Sequence, residues 1–145
     1  MAIADFNIGN DWTIDIFDPI MGGIQSFQLV TGFAKRPNHV RVTSNALDGL
    51  TRIADIPDTW EGTITFDRAS SAIDDYFAAR EDAYHRGQVL PPCTITETIR
   101  EVGGGITQFR YEGVSLTMTD AGNAQGKDKV SMTVDFIAGR RRKVI

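Results

Sequence analysis

The sequence predicts a mainly β protein, an antiparallel sandwich or barrel of about seven strands with one α-helix at about 70–86 on its flank. Three observations predict it. Several stretches alternate apolar and polar residues with the period of a half-buried strand. One stretch, from Ser70 to Arg86, shifts to helical spacing. Turn-forming runs separate the alternating segments, among them Asp18-Pro19, Gly22-Gly23 and Gly103–Gly105.

Met1–Asn10, which contains Phe6 and Gly9, reads as an arm outside the core. Asp11–Phe17 is a strand with Trp12, Ile14 and Ile16 inward, and Ile24–Thr31 is a second strand hairpinned to it. Lys35–Asn38, with Pro37, is expected to break the chain before a third strand, His39–Ser44. Asn45–Thr59 mixes Leu47, Leu50, Ile53 and Ile56 with Gly49 and Pro57, and is read as a long loop. Loops of that size inside a domain are uncommon and often functional, and exposed aliphatics there imply docking.

Asp58–Asp67 alternates, with Trp60, Ile64 and Phe66 on one side. It feeds the helix, where Ile73, Phe77, Arg80 and Tyr84 follow at helical spacing. Ser70 or Ser71 suits the N-cap, Asp74 and Asp75 suit the positive end of the dipole, and Gly87 suits the C-cap. Cys93–Val102 is the next strand, with Thr94, Thr96 and Thr98 on one face. Cys93, Ile95 and Ile99 share the other face with Glu97, an anomaly among apolar neighbours. Ile106–Met118 changes its inward face at Gly113, from odd (Phe109, Tyr111) to even (Val114, Leu116, Met118), as a β-bulge would produce. Asp120–Asp128 is a loop, Lys129–Ile137 a clean strand, and 139–145 a basic tail. The whole chain, 1–145, is read as a single domain.

The net charge is −4, but Arg140, Arg141, Arg142 and Lys143 supply four positive charges at the end. The rest carries 11 basic against 19 acidic residues, or −8. An acidic body argues against a nucleic-acid-binding surface. No apolar run approaches the ~20 residues of a membrane span, so no membrane anchor is expected. The first residues show no signal for secretion, and Cys93 stands alone, so folding in a cytoplasm is expected.

No catalytic, metal or cofactor site emerges. Gly122–Asp128 resembles a phosphate loop faintly, but is one residue short, lacks the Mg²⁺-binding hydroxyl and precedes a strand. His39 and His85 have no ligand-spaced partner. Cys93 opens an apolar strand face and reads as a buried structural thiol. Glu97 and Glu101 stand about 13 Å apart along a strand, too far for a carboxylate pair. What remains is a repeated face of small hydroxyls: Thr63, Thr65 and Asp67; Thr94, Thr96 and Thr98; Ser131, Thr133 and Asp135. Such a face is either ordinary solvated surface or the lining of a water-filled lumen.

The run Asp58-Thr-Trp-Glu-Gly, continuing through Phe66-Asp-Arg-Ala-Ser-Ser to Asp74-Asp-Tyr-Phe, resembles the tail tube proteins of contractile-tailed bacteriophages. So do Thr94-Ile-Thr-Glu-Thr-Ile, Gln108-Phe-Arg-Tyr-Glu-Gly-Val and Asp120-Ala-Gly-Asn. The likeness covers roughly Asp11 to Arg142 and lies in the ordered set. The type VI secretion tube protein shares the fold and is a near alternative.

The resemblance implies hexameric rings, joined sheet edge to sheet edge and stacked into a hollow tube inside a contractile sheath. Baseplate and terminator proteins would be further partners, double-stranded DNA would pass without specific binding, and the location would be a virion tail. By position, Leu47, Leu50, Ile53 and Ile56 would reach the neighbouring ring, and Phe6, Arg140, Arg141 and Arg142 would touch other subunits. Thr63, Thr65, Thr94, Thr96, Thr98, Ser131, Thr133 and Asp135 are the lumen candidates. The rival from another class is a monomeric β-sandwich binding module using loops 45–59 and 120–128.

Overall fold

A computed structural model describes residues 5–19, 23–25, 30–69 and 71–145. A 3-10 turn, Gly9–Asp11, leads into β1 (Trp12–Asp18) and β2 (Gly23–Gln25). β3 (Val30–Asn45) and β4 (Thr51–Asp67) precede the single helix α1 (Ala72–His85). β5 (Cys93–Arg100), β6 (Ile106–Asp120), β7 (Ser131–Ala138) and β8 (Arg140–Lys143) complete the chain.

Seven strands follow one antiparallel path, β2-β1-β5-β6-β7-β4-β3, and β8 pairs with the first half of β6. The architecture is therefore the expected one: mainly antiparallel β with one flanking helix. β6 turns the path into two layers. Between Tyr111 and Val114 it carries an extra residue relative to β5, and Gly113 there has φ 66. This bulge falls where the apolar parity of β6 reverses. Tyr111 faces the core before it, and Val114 and Leu116 after it.

The core between the layers holds Ile16, Ile95, Tyr111 and Val114 against Ile64, Phe66, Met132, Val134 and Phe136. Each such side chain contributes roughly 1.5–3 kcal/mol on burial. Phe136 stacks on Phe33 at 5.5 Å and meets Tyr111 edge-on at 5.7 Å. Gly62 makes this approach possible, because a Cβ there would run into the Ala34 carbonyl oxygen and lie 2.8 Å from the Phe136 ring.

The helix begins after Ser71, whose hydroxyl donates to Asp75 Oδ2 at 2.9 Å; Ser70 lies outside the described residues. It ends as a Schellman motif: Gly87 (φ 77) donates to Tyr84 O and Gln88 N to Ala83 O. Its buried stripe is Ile73, Tyr76 and Ala83, with Arg80 nearly covered. Tyr84, expected on the inward stripe, is exposed. The stripe follows Tyr76 because a buried carboxylate awaits its hydroxyl on the barrel.

Three expectations are corrected. Pro37 does not end a strand: β3 runs through it without interruption. β3 lies at the end of the strand path, and the register shifts between Pro37 and His39. An edge position and a bulge are the two places where a missing N–H is tolerated. Asn45–Thr59 is not an irregular loop but most of a second strand, paired with β3 from Asn45↔Thr51 to His39↔Pro57. The chain there is a two-stranded arm whose turn is only Ala46–Leu50. Finally, the basic tail is largely a strand, because Arg140–Lys143 pair with Glu112–Phe109.

Candidate assembly surfaces

The arm is the first surface. Beyond the Pro37 bulge both strands are exposed throughout, so this ribbon packs on nothing within the described chain. Its turn is set by Asp48, whose carboxylate accepts from Leu50 N at 2.9 Å, with Gly49 at φ 83. Leu47 and Leu50 sit in this turn, Leu47 fully open to solvent and Leu50 more than half exposed. Cross-strand register then sorts the other apolar residues. Val40 opposes Ile56 and Val42 opposes Ala54, forming one apolar face. Ile53, opposite Thr43, lies on the other face beside the Arg41–Asp55 ion pair. Ile53 and Ile56 thus point in opposite directions, and threefold spacing does not bring them together in a strand. Val40 and Val42 are the arm residues that sequence reasoning missed. They fall in the expected third strand, His39–Ser44, which local alternation shows without showing that it belongs to an arm.

The second surface is the hydroxyl-rich face. Thr63 opposes Asp135 and donates to its Oδ1 at 3.0 Å. Thr65 opposes Thr133, and Ser131 donates to Asp67 Oδ1 at 3.3 Å. The structure extends this row to Thr117 of β6, which opposes Asp135 on its far side. The bulge at Gly113 was the signal that could have found it. Thr94, Thr96 and Thr98 also lie on an outer face, on β5, where Thr98 accepts from Gln108 Nε2 at 3.2 Å. A shallow depression of about 600 Å³ is lined there by Asp15, Thr94, Thr96, Arg110 and Glu112. All eight hydroxyl and carboxylate candidates are half-buried, and they form two patches on either side of β6.

The third feature is internal. Glu97 is fully buried and explains its own anomaly. Its Oε2 accepts from Trp12 Nε1 at 2.8 Å and contacts Lys35 Nζ. Its Oε1 accepts from the Tyr111 hydroxyl at 3.1 Å and lies 3.6 Å from Arg141. Five strands meet at this one carboxylate. Arg141 is also laid over Phe109 (3.5 Å), Trp60 (4.5 Å) and Tyr111 (5.8 Å). It is therefore part of the interior, unlike Arg140 and Arg142, which are exposed; Arg142 pairs with Glu112 at 3.0 Å. Arg141, one of the residues expected at subunit contacts, is thus turned inward within the single chain by this strand pairing. Phe6 is exposed at the start of the described chain.

No arrangement for covalent chemistry appears among these groups. Cys93 is buried, and burial pushes its thiol up from the ordinary value. Among the described residues no three His, Cys, Asp or Glu side chains converge as a metal site would need.

Comparison with solved structures decides the fold. The chain is similar to the tube-terminating cap of the anti-feeding prophage, with TM-score 0.68 and 10% identity over 99% of this chain and 94% of that one. It has the contractile-tail tube fold. The sheath–tube complex of an extracellular contractile injection system, PVC, matches with TM-score 0.64 and 10% identity, over 95% of this chain and 90% of the other. The tail of an empty GTA particle matches with TM-score 0.56 and 14% identity, over 95% and 98%. No family model matches the sequence, and no curated protein does. At these identities the likeness is one of fold. Within this fold the arm is exposed and β3 stands at the end of the strand path. Among the described residues β3 pairs only with β4.

Proposed function

We propose that the protein is a structural subunit of a tail tube. Copies join into hexameric rings, and rings stack into a hollow conduit inside a contractile sheath. The observation that carries this reading is the arm: a ribbon with Val40, Val42, Leu47, Leu50, Ile53 and Ile56 all exposed. A monomer gains nothing from such a ribbon and risks aggregation by it. A head-to-tail contact that does not close on itself gives a filament. The similar GTA tail has C6 symmetry, and the similar baseplate of the anti-feeding prophage is 6-fold symmetrised, which supports a hexamer here.

In this reading the arm reaches the adjacent ring, with Phe6, Arg140 and Arg142 at other subunit contacts. Sheath, baseplate and terminator proteins are the remaining partners, and the tube works in a virion tail. The patches built on Thr63, Thr65, Ser131, Thr133 and Asp135, and on Thr94, Thr96 and Thr98, are the candidates for the bore. Carboxylates there would repel passing phosphates, with a reach of about 10 Å at 0.1 M salt, and small hydroxyls would give DNA little to grip.

Electron microscopy of the concentrated protein tests the reading. Stacked rings about one subunit thick support it, and protein that stays monomeric at every concentration and never enters a tail rejects it. A DNA-free injection device of the same fold is separated from a phage tail by whether particles carrying this protein contain nucleic acid.

A further inference from the structure

Lys35 stands at the foot of the arm, two residues before the Pro37 bulge. It also faces a seam. Among the described residues Trp12–Asp15 of β1 pair only with β5, and β3 pairs only with β4. A cleft of about 390 Å³, lined by Trp12, Ile14, Phe33 and Lys35, lies between the two strands. Lys35 crosses it: Nζ contacts Glu97 of β5 and sits 5.7 Å from the Trp12 ring centre.

The charges in this cluster do not balance. Glu97 is one carboxylate, and Lys35 and Arg141 are two cations. An arginine keeps its proton under all ordinary conditions, and Arg141 is pinned against Phe109 and Trp60. Lys35 is the member that can leave. Its side chain is 22% exposed, on a flexible stem beside an open cleft.

We propose that Lys35 is a releasable strap: bound to Glu97 it fixes the root of the arm on the barrel, and swung into solvent it frees the arm to change direction. The strap is a property of the single chain, so it is tested apart from ring formation.

Its response to pH has a definite sign. In the strapped state burial, and then Arg141, pull Lys35 down to about 8. A released lysine has the ordinary value of about 10.4. The released form holds the proton more tightly, so protonation favours release and raising the pH through 8 favours the strap. A simple surface ion pair would behave in the opposite way and break as the lysine lost its charge. Other charged and titratable groups face Lys35 from the elements packed against it. Arg141 comes from β8. Tyr111, from β6, is pushed up to about 12 by burial. Glu97 comes from β5, and β1 and β4 present Trp12, Gly62 and Trp60. Arg36 and Glu61 pair with each other on the outer face.

Hydrogen exchange of the full chain at pH 7 and pH 9.5, read as protection factors with light scattering alongside, tests this. Arm amides 38–58 should become at least about threefold better protected at the higher pH, with barrel amides unchanged. Lys35→Met should abolish the trend, and Lys35→Arg, which keeps its charge, should abolish it too. Arm protection that falls with pH, does not change, or rises equally in both variants overturns the strap. Ring formation seen by scattering bears on the tube reading and not on this one.

Discussion

Arg80 Nη1 lies 2.6 Å from Asp18 Oδ2, joining the middle of the helix to the last residue of β1. Asp18 is fully buried, and its Oδ2 also meets the Tyr76 hydroxyl and Cys93 Sγ. Removing the cation would take a charge partner away from a carboxylate held in the interior. Arg80→Met should therefore destabilise the protein by about 3–5 kcal/mol. Tyr76→Phe, which removes one hydrogen bond to the same oxygen, should cost about 1–3 kcal/mol. Urea unfolding followed by far-UV circular dichroism checks both, and a larger loss for Tyr76→Phe would contradict the account.

Glu97→Gln should cost a similar 3–5 kcal/mol or so, because Lys35 and Arg141 would face each other with no anion between them. The double variant Glu97→Gln/Lys35→Met should recover part of that loss. A double-mutant cycle showing strict additivity would mean that the two side chains do not interact.

Gly62→Ala should be among the most damaging single substitutions. The new methyl group meets backbone on one side and the Phe136 ring on the other, and neither can yield cheaply. Overpacking of this kind costs about 1–3 kcal/mol or more. Gly9→Ala, where open space surrounds the backbone, should be close to neutral. Thermal unfolding of the pair gives the comparison.

On the arm, Val42→Asp and Ile56→Asp place charges on the apolar face, and Arg41→Ala touches the other. The first two should abolish filament formation, measured by sedimentation and electron microscopy. Arg41→Ala should weaken it less. All three should unfold within about 0.5 kcal/mol of the parent, since they are exposed in the single chain. Normal filaments from Val42→Asp would remove the arm's apolar face from the contact.

The Cys93 thiol should be inert in the native protein. It is buried, and its raised pKa leaves little thiolate at pH 8. A thiol-reactive dye should label it only once denaturant unfolds the chain. Labelling at the rate of a free thiol without denaturant would show that the helix lifts off the barrel.

Much of this molecule was legible in its sequence because neighbouring side chains report a strand's faces. Alternation in Ser131–Ala138 and Cys93–Arg100, the parity reversal at Gly113 and the Gly87 terminus all depend on residues within a few positions of one another. Glu97 was visible as a misfit on an apolar face, although its partners were not.

Tertiary structure decided what depends on distant pairing. Asn45–Thr59 looks broken by Gly49 and Pro57, yet it is held extended by register with β3, which local propensity does not contain. Ile53 and Ile56 look like one patch until that register sends them to opposite sides. Arg141 reads as one of four tail charges, but pairing with Tyr111 of β6 turns it inward onto Glu97, 44 residues earlier in the chain. A strand's own residues set which of its faces is apolar, and only its partner strand sets where that face points.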